Sequence, residues 1–324
     1  MPKRPEWKVP ADEQPQPDDY GYDLDAALSA VLSLSARTPA TAFTAETLGT
    51  ERAGNAVLIR DDGLVLTVGY LVTEADSIWL TTTDGTVVPG HVLGYDQATG
   101  FGLVQALGRL GVPALPLGRS AGAAVGEPVV IAGAGGRHRS VAAEIVARQE
   151  FAGYWEYVLD EALFVAPAHP HWGGTAVIDA GGALVGLGSL QLQTGDGRGA
   201  RTVNMAIPID LLPPILDDML TLGRPSGPAR PWLGLYATEL DDQIVVMGLA
   251  GKGPAQQADV QVGDVVSEVA GERIEDLADL FRRIWALGEA GVAVPLTLVR
   301  DGRRLKRRIA SSDRNRFLVA PQLH

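Results

Sequence analysis

The sequence predicts a mostly β protein built from two successive domains, and three observations predict it. Short apolar and β-branched runs alternate with Gly, Pro and Asp turn signals over residues 53–189, and again from Pro231 onward. The stretch Gly223-Arg224-Pro225-Ser226-Gly227-Pro228-Ala229-Arg230 separates the two series with the composition of a linker. The chain has 324 residues and 46% hydrophobic content, which exceeds one ordinary domain and suffices for two cores.

Taken in order, residues 1–20 mix proline with charge and offer nothing to bury, so they read as a disordered acidic and proline-rich tail. Residues 22–36 read as a short helix or an opening strand. Turns at Asp61-Asp62-Gly63, Asp84-Gly85, Gly94-Tyr95-Asp96, Gly135-Gly136 and Ala180-Gly181-Gly182 punctuate strand after strand. That regular spacing suggests a barrel or sandwich. A closing strand over 203–209 precedes a helix over 210–222, with Pro213 and Pro214 in the first turn, where a missing N–H costs nothing. The first domain therefore spans 21–222 and the linker 223–230. The second domain, 231–310, shows strands at Trp232-Leu233-Gly234-Leu235, 243–247 and 264–269. Its helix covers 275–287, with Leu277, Leu280, Phe281, Ile284 and Leu287 on one face. A last hairpin over 294–309 turns at Asp301-Gly302, and 311–324 read as a C-terminal tail.

Composition excludes several function classes. A net charge of −12 argues against nucleic-acid binding, which needs a basic surface. Cysteine is absent, so no disulfide framework exists. The first twenty residues lack the apolar stretch of a secretory leader, and residues 24–34 are too short and too acidic at their start to span a membrane. A cytoplasmic location with no membrane contact is the expectation from these features.

Three segments carry a family resemblance. They are Gly63-Leu64-Val65-Leu66-Thr67-Val68-Gly69-Tyr70-Leu71-Val72, Tyr95-Asp96-Gln97-Ala98-Thr99-Gly100-Phe101-Gly102-Leu103-Val104 and Ala166-Pro167-Ala168-His169-Pro170-His171-Trp172-Gly173-Gly174. They resemble the histidine, aspartate and serine segments of the HtrA/Deg proteases. Leu115-Pro116-Leu117-Gly118-Arg119-Ser120, Ala206-Ile207-Pro208-Ile209-Asp210 and Gln261-Val262-Gly263-Asp264-Val265-Val266 resemble further motifs of that family, in its order and spacing. The resemblance implies a trypsin-like double six-stranded β-barrel followed by a PDZ domain.

Laid over the family's patterns, the histidine position holds Tyr70, the aspartate position Gly100 and the serine position Gly173. A second register places Trp172 at serine. Either way no serine lies between Ser140 and Ser189, where Thr175 is the only aliphatic hydroxyl. Acyl transfer by this route needs a nucleophile, a base of near-neutral pKa and an orienting carboxylate. Glycine supplies no nucleophile or carboxylate, and a tyrosine phenol stays protonated near neutrality. The resemblance therefore implies a degenerate triad in an inactive protease homologue, with bare oxyanion-hole donors at the His171 and Gly173 N–H groups.

Alternatives stay open at this level. His169 and His171 beside the vacant position, with Thr175, suggest a rebuilt hydrolytic site. A metal there would need a third ligand from Asp160, Glu161 or His91. No cofactor is otherwise called for. The aromatic cluster Phe151-Ala152-Gly153-Tyr154-Trp155-Glu156-Tyr157 is expected to be buried or to form a self-contact. The resemblance further implies that Trp232, Leu233, Gly234 and Leu235 receive a polypeptide C-terminus beside the 275–287 helix, and that the chain is a homo-oligomer, typically a trimer. The basic run Arg300, Arg303, Arg304, Lys306, Arg307 and Arg308 reads as a charged edge strand, with an acidic partner as the alternative. The functional expectation is a polypeptide-binding scaffold, regulator or chaperone. A rebuilt hydrolase or a structural subunit of a complex are its alternatives.

Overall fold

The computed structural model describes residues 7–195 and 199–319, which divide into two compact units. The first contains residues 7–149, 161–195, 199–225 and 319 of those described. The second contains 150–160 and 226–318.

The first unit opens with α1 (Leu24–Ser29), capped by the Asp23 carboxylate at the Ala26 N–H. It runs directly into β1 (Val31–Arg37), so residues 22–36 contain both of the elements expected of them. The strands β2 (Glu51–Arg60), β3 (Leu64–Val68), β4 (Ser77–Thr81), β5 (Val87–Tyr95) and β6 (Phe101–Ala106) follow, with short helices α2 (Ala45–Leu48) and α3 (Gly69–Val72) between them. They close a barrel in the order β1-β2-β3-β6-β5-β4. Leu32, Leu34, Ala56, Val65, Leu80 and Val104 share one face of it by register, each fully buried. A second barrel comes from β7 (Pro128–Ala132), β8 (Ser140–Gly153), β9 (Tyr157–Ala166), β10 (Ala176–Ile178), β11 (Leu184–Thr194) and β12 (Arg201–Pro208). Its order is β10-β11-β12-β9-β8-β7, around Val129, Ile131, Ile145, Leu163, Val165 and Val177. Closure removes the sheet edges that would otherwise invite pairing with other chains. The helix α4 (Pro213–Leu222) ends this unit at Gly223, whose left-handed backbone terminates it.

The disordered tail expected over residues 1–20 is corrected for its described part. Val9 is buried, its N–H donates to His138 O at 2.9 Å, and Ala142 N–H donates to Glu13 O at 2.8 Å. One apolar residue with a place to dock and a backbone with a partner are enough to order a proline-rich segment. Residues 1–6 lie outside the described residues.

The second unit is one sheet in the order β13-β14-β15-β17-β18, with β16 beside β15. The strands are β13 (Leu235–Leu240), β14 (Gln243–Leu249), β15 (Val265–Val269), β16 (Glu272–Arg273), β17 (Ala293–Arg300) and β18 (Arg303–Ala310). The short α5 (Pro254–Gln257) follows β14. The longer α6 (Leu277–Ala286) buries Leu277, Leu280, Phe281 and Ile284, as its spacing predicts. The basic run falls on and beside the edge strand β18. Arg300 donates to Asp264 Oδ1 at 2.6 Å, Arg307 to Asp259 at 2.6 Å, and Arg304 pairs with Glu268. Its acidic partners are thus in its own unit. Two boundaries move. The β8–β9 hairpin tip, residues 150–160, groups with this unit, because Val158 and Ala152 pack into its core. The expected tail from 311 is paired: Ser312 and Trp232 exchange backbone bonds at 3.0 Å, and the Phe317 ring lies 4.8 Å from that of Trp232.

Candidate functional site

Tyr70 stands on α3, immediately after the buried strand β3, and its position is held from below. Arg52 is buried and donates to Tyr70 O at 3.0 Å, Thr73 O at 2.8 Å and Thr44 Oγ1 at 2.8 Å. Glu74 faces the same hub. Its carboxylate accepts from Phe43 N, Thr44 N, Thr44 Oγ1 and Val319 N over 2.6–3.0 Å. Burial alone would raise the Glu74 carboxyl; these hydrogen bonds outweigh it and hold it below its usual range.

The positions matched to the three catalytic segments meet. The Tyr70 hydroxyl donates to Ser189 O at 2.9 Å. A Cβ built on Gly173 would lie 2.7 Å from that hydroxyl, so any side chain at 173 would press on the tyrosine. Gly69 N–H donates to Gly100 O at 2.7 Å, which sets Gly100 one residue from Tyr70. Gly100 has φ +86, a conformation that strains residues with side chains. Burial pushes the Tyr70 phenol further above its ordinary value, which removes it as a base near neutrality.

The loop before β10 is clamped rather than poised. Asn55 Nδ2 donates to His171 O at 2.9 Å and Gly173 O at 3.1 Å, while its Oδ1 accepts from Ala134 N at 2.9 Å. Gly174 packs so closely that an added Cβ would sit 1.8 Å from Asn55 O, and its φ of +77 is left-handed, so only glycine fits. His169 is buried. Its Nδ1 accepts from His171 N at 3.0 Å, which makes Nε2 the donor to Arg139 O at 2.8 Å. Burial lowers its pKa to about 4, with the charges of His171 and Arg139 acting the same way. Both ring nitrogens are therefore committed, one to His171 and one to Arg139, which leaves no lone pair for a metal. Among the described residues no group of three or more metal-ligating side chains gathers, and Asp160, Glu161 and His91 do not join the histidines. The expected oxyanion donor at His171 is turned inward to His169. Thr175 is fully buried and donates to Trp172 O at 3.0 Å. The Trp7 ring meets both histidine rings edge-on at 5.2–5.3 Å. A cavity of about 570 Å³ remains here, with Tyr70, His171, Trp172 and Gly173 in its wall.

In the second unit, Trp232 is buried against Phe317, as a core residue rather than a groove wall. The next three residues face a carboxylate. Glu156 Oε1 accepts from Leu233 N at 3.1 Å and Leu235 N at 2.9 Å, and Oε2 accepts from Leu233 N at 3.1 Å. Tyr154 O accepts from Ala237 N at 3.0 Å. Burial pushes the Glu156 carboxyl up to about 7, against the pull of the Leu235, Leu233 and Gly234 N–H groups and the Arg314 charge. The aromatic cluster packs within the second unit rather than plugging the second barrel: Trp155 stacks on Tyr157 at 5.4 Å and Tyr154 lies edge-on to Tyr236 at 6.1 Å, while Tyr154 stays half exposed. Sequence reading missed Asn55, Arg52, Glu74 and the role of Glu156. No local motif marks them, since their partners are distant in the chain.

Residues 54–187 match the family model of the trypsin-like peptidase domain, and residues 231–310 that of the PDZ domain. A Pseudomonas fluorescens protein named probable periplasmic serine endoprotease DegP-like is 29% identical over 264 residues, covering 78% of this chain and 54% of the relative. The Bacillus subtilis serine protease Do-like HtrA is 20% identical over 323 residues, covering 90% of this chain and 71% of the relative. The chain thus spans about half the length of the Pseudomonas relatives it matches. Among solved structures, the HtrA-type protease AlgW with decapeptide superposes with a TM-score of 0.51 at 19% identity, over 92% of this chain and 99% of that one. The serine endoprotease from Yersinia pestis gives 0.50 at 19% identity, over 90% and 98%. The cytoplasmic expectation is overturned by the Pseudomonas relatives, which are named periplasmic; it rested on the composition of the first residues alone. No helix of the described residues is long and apolar enough to cross a membrane. Two closed six-stranded barrels and the sheet that follows them, with the two family matches, give the chain a trypsin-like peptidase domain followed by a PDZ domain, an arrangement similar to that of the HtrA- and DegP-like proteins.

Proposed function

We propose that this chain is a catalytically inactive HtrA/DegP-like homologue that works by holding polypeptide, as a scaffold, regulator or chaperone. The observation that carries the reading is the Tyr70 hydroxyl, 2.7 Å from where a side chain at Gly173 would begin. A nucleophile at 173 would have to displace this tyrosine, and Gly100 adds no carboxylate. Covalent acyl transfer needs the first and gains its base through the third. The PDZ domain supplies the polypeptide-binding function, through the backbone donors at 233–235. The relatives' names carry the compartment: we infer that the chain works in the periplasm, as an oligomer in the manner of its family.

A rebuilt hydrolytic site at His169, His171 and Thr175 has less support. Both nitrogens of His169, to His171 N and Arg139 O, and the Thr175 hydroxyl, to Trp172 O, are spent on hydrogen bonds. A purely structural subunit would hold one fixed partner and bind no free peptide.

Turnover of unfolded casein and of a mixed fluorogenic peptide library tests the reading, with and without zinc or manganese. The native chain is expected to cleave neither. Cleavage that disappears in His171→Ala would overturn the reading in favour of a rebuilt site. The triple variant Tyr70→His, Gly100→Asp, Gly173→Ser serves as the gain-of-function control.

A further inference from the structure

The second unit holds a buried carboxylate that the reading above leaves without a role. Glu156 is 6% exposed, and its oxygens take the N–H groups of Leu233 and Leu235 at 2.9–3.1 Å. A buried carboxylate held by successive backbone donors occupies an anion site, and the Arg314 charge favours its ionised form as well.

Its surroundings repeat the pattern of a bound strand. β13 lies at one end of the sheet order, so its outer edge is open to pairing. On that edge Ala237 N–H, two residues beyond Leu235, donates to Tyr154 O, two residues before Glu156. The two-residue step on both sides is the repeat of antiparallel pairing. A polypeptide adding to this edge would place its last residue at 233–235 and the carbonyl of its third-last residue at Ala237. Tyr154 and Glu156 stand at those two places. The Tyr154 ring also packs against Tyr236 of β13 at 6.1 Å. Unlike a true chain end, the segment continues past Glu156 into β9. Glu156 has φ +60, a left-handed backbone uncommon for glutamate, and its side chain rather than its main chain supplies the carboxylate.

We propose that the hairpin tip 153–157 is an internal ligand of this chain's own PDZ site, with the Glu156 carboxylate standing in for a polypeptide C-terminus. An external C-terminus then binds by displacing the tip. The proposal rests on the reading that this domain takes polypeptide C-termini, and it adds that the site is filled in cis. The apparent affinity for outside peptide falls by the fraction of molecules in which the tip is docked. The chemistry that can compete is a free α-carboxylate on an extended segment.

The test uses the full chain and a fluorescein-labelled decapeptide ending Gly-Tyr-Trp-Val, with a free or an amidated C-terminus. Anisotropy reads affinity, and hydrogen exchange followed by mass spectrometry reads residues 151–157 and 233–237. Glu156→Ala is expected to bind the free-carboxylate peptide about tenfold or more tightly than the native chain. The amidated peptide is expected to bind neither. Saturating peptide is expected to speed exchange over 151–157 in the native chain, and Glu156→Ala to speed it over 233–237. Glu156→Gln keeps the side-chain length while losing the charge; it covers the case in which Glu156→Ala misfolds and is expected to fall between the two. Equal affinities for native and Glu156→Ala, with exchange over 151–157 unmoved by peptide, would overturn the internal ligand while leaving the peptide-binding reading intact. Failure of both proteins to bind, with native exchange patterns intact, would overturn the peptide-binding reading and the competition together.

Discussion

Tyr70 and Gly173 are fitted to each other, and this is where the chemistry of the first unit is decided. A serine at 173 would place its Cβ 2.7 Å from a phenol already bonded to Ser189 O. Moving the phenol away from the new Cβ would break its bond to Ser189 O. Gly173→Ser is therefore expected to destabilise the chain by about 1–3 kcal/mol. Tyr70→His removes the phenol, and in the double variant most of that loss is expected to return. Urea unfolding of the two single variants and the double variant measures the coupling as a double-mutant cycle. Additive losses would show that the two residues do not oppose each other. Tyr70 was readable from the run around it, while the run around Gly173 left two registers open, with Trp172 as the other. Asn55 and Glu156 were not readable in that way. Asn55 holds carbonyls 116 and 118 residues away, and Glu156 holds amides 77 and 79 residues away. Nothing near either residue announces those contacts.

Strands and helices were more legible than their neighbours across space. The α6 stripe of Leu277, Leu280, Phe281 and Ile284 repeats at helical spacing, and that stripe is what the sheet buries. The α6 start was placed two residues early in the sequence, at 275, because its cap was not recognised. Asp276 has extended backbone and accepts from Asp279 N at 2.7 Å, the geometry of an N-cap. Asp276→Ala is expected to cost about 1 kcal/mol, and Asp276→Asn much less, by thermal or urea unfolding. A loss for Asp276→Asn equal to that for Asp276→Ala would assign the effect to charge rather than capping. Segments poor in apolar residues misled the reading. Residues 7–20 bury only Val9 and Pro15, and order depends on the surface they meet. The 150–160 tip reads as the end of a barrel hairpin, yet Ala152 and Val158 belong to the second core. Periodicity says which face of an element is apolar; it does not say which core receives it.

At the scale of the whole chain, the two units are expected to respond to acid in opposite directions. In the first unit, burial lowers the His169 pKa from 6.5 to about 4, aided by the charges of His171 and Arg139. A base depressed on folding contributes stability that is full above its unfolded pKa. That contribution is lost as pH falls from 6.5 toward 4. In the second unit, burial raises Glu156 from 4.5 to about 7, opposed by its backbone donors and by Arg314. The folded state then holds the proton longer than the unfolded chain does. Its contribution is full below 4.5 and is lost as pH rises toward 7. The depressed carboxyls Glu74 and Asp264 act in a lower window, as pH falls below their ordinary values. Between 4.5 and 6.5 the two trends therefore cross: acidification weakens the first unit and strengthens the second. Urea unfolding read by hydrogen exchange can follow β12 in one unit and β17 in the other, near each end of that window. Glu156→Gln is expected to flatten the trend at β17 and leave that at β12 unchanged. Parallel trends in the native chain, or a β17 trend that survives Glu156→Gln, would mean that the Glu156 carboxyl is not the group whose proton stabilises the second unit.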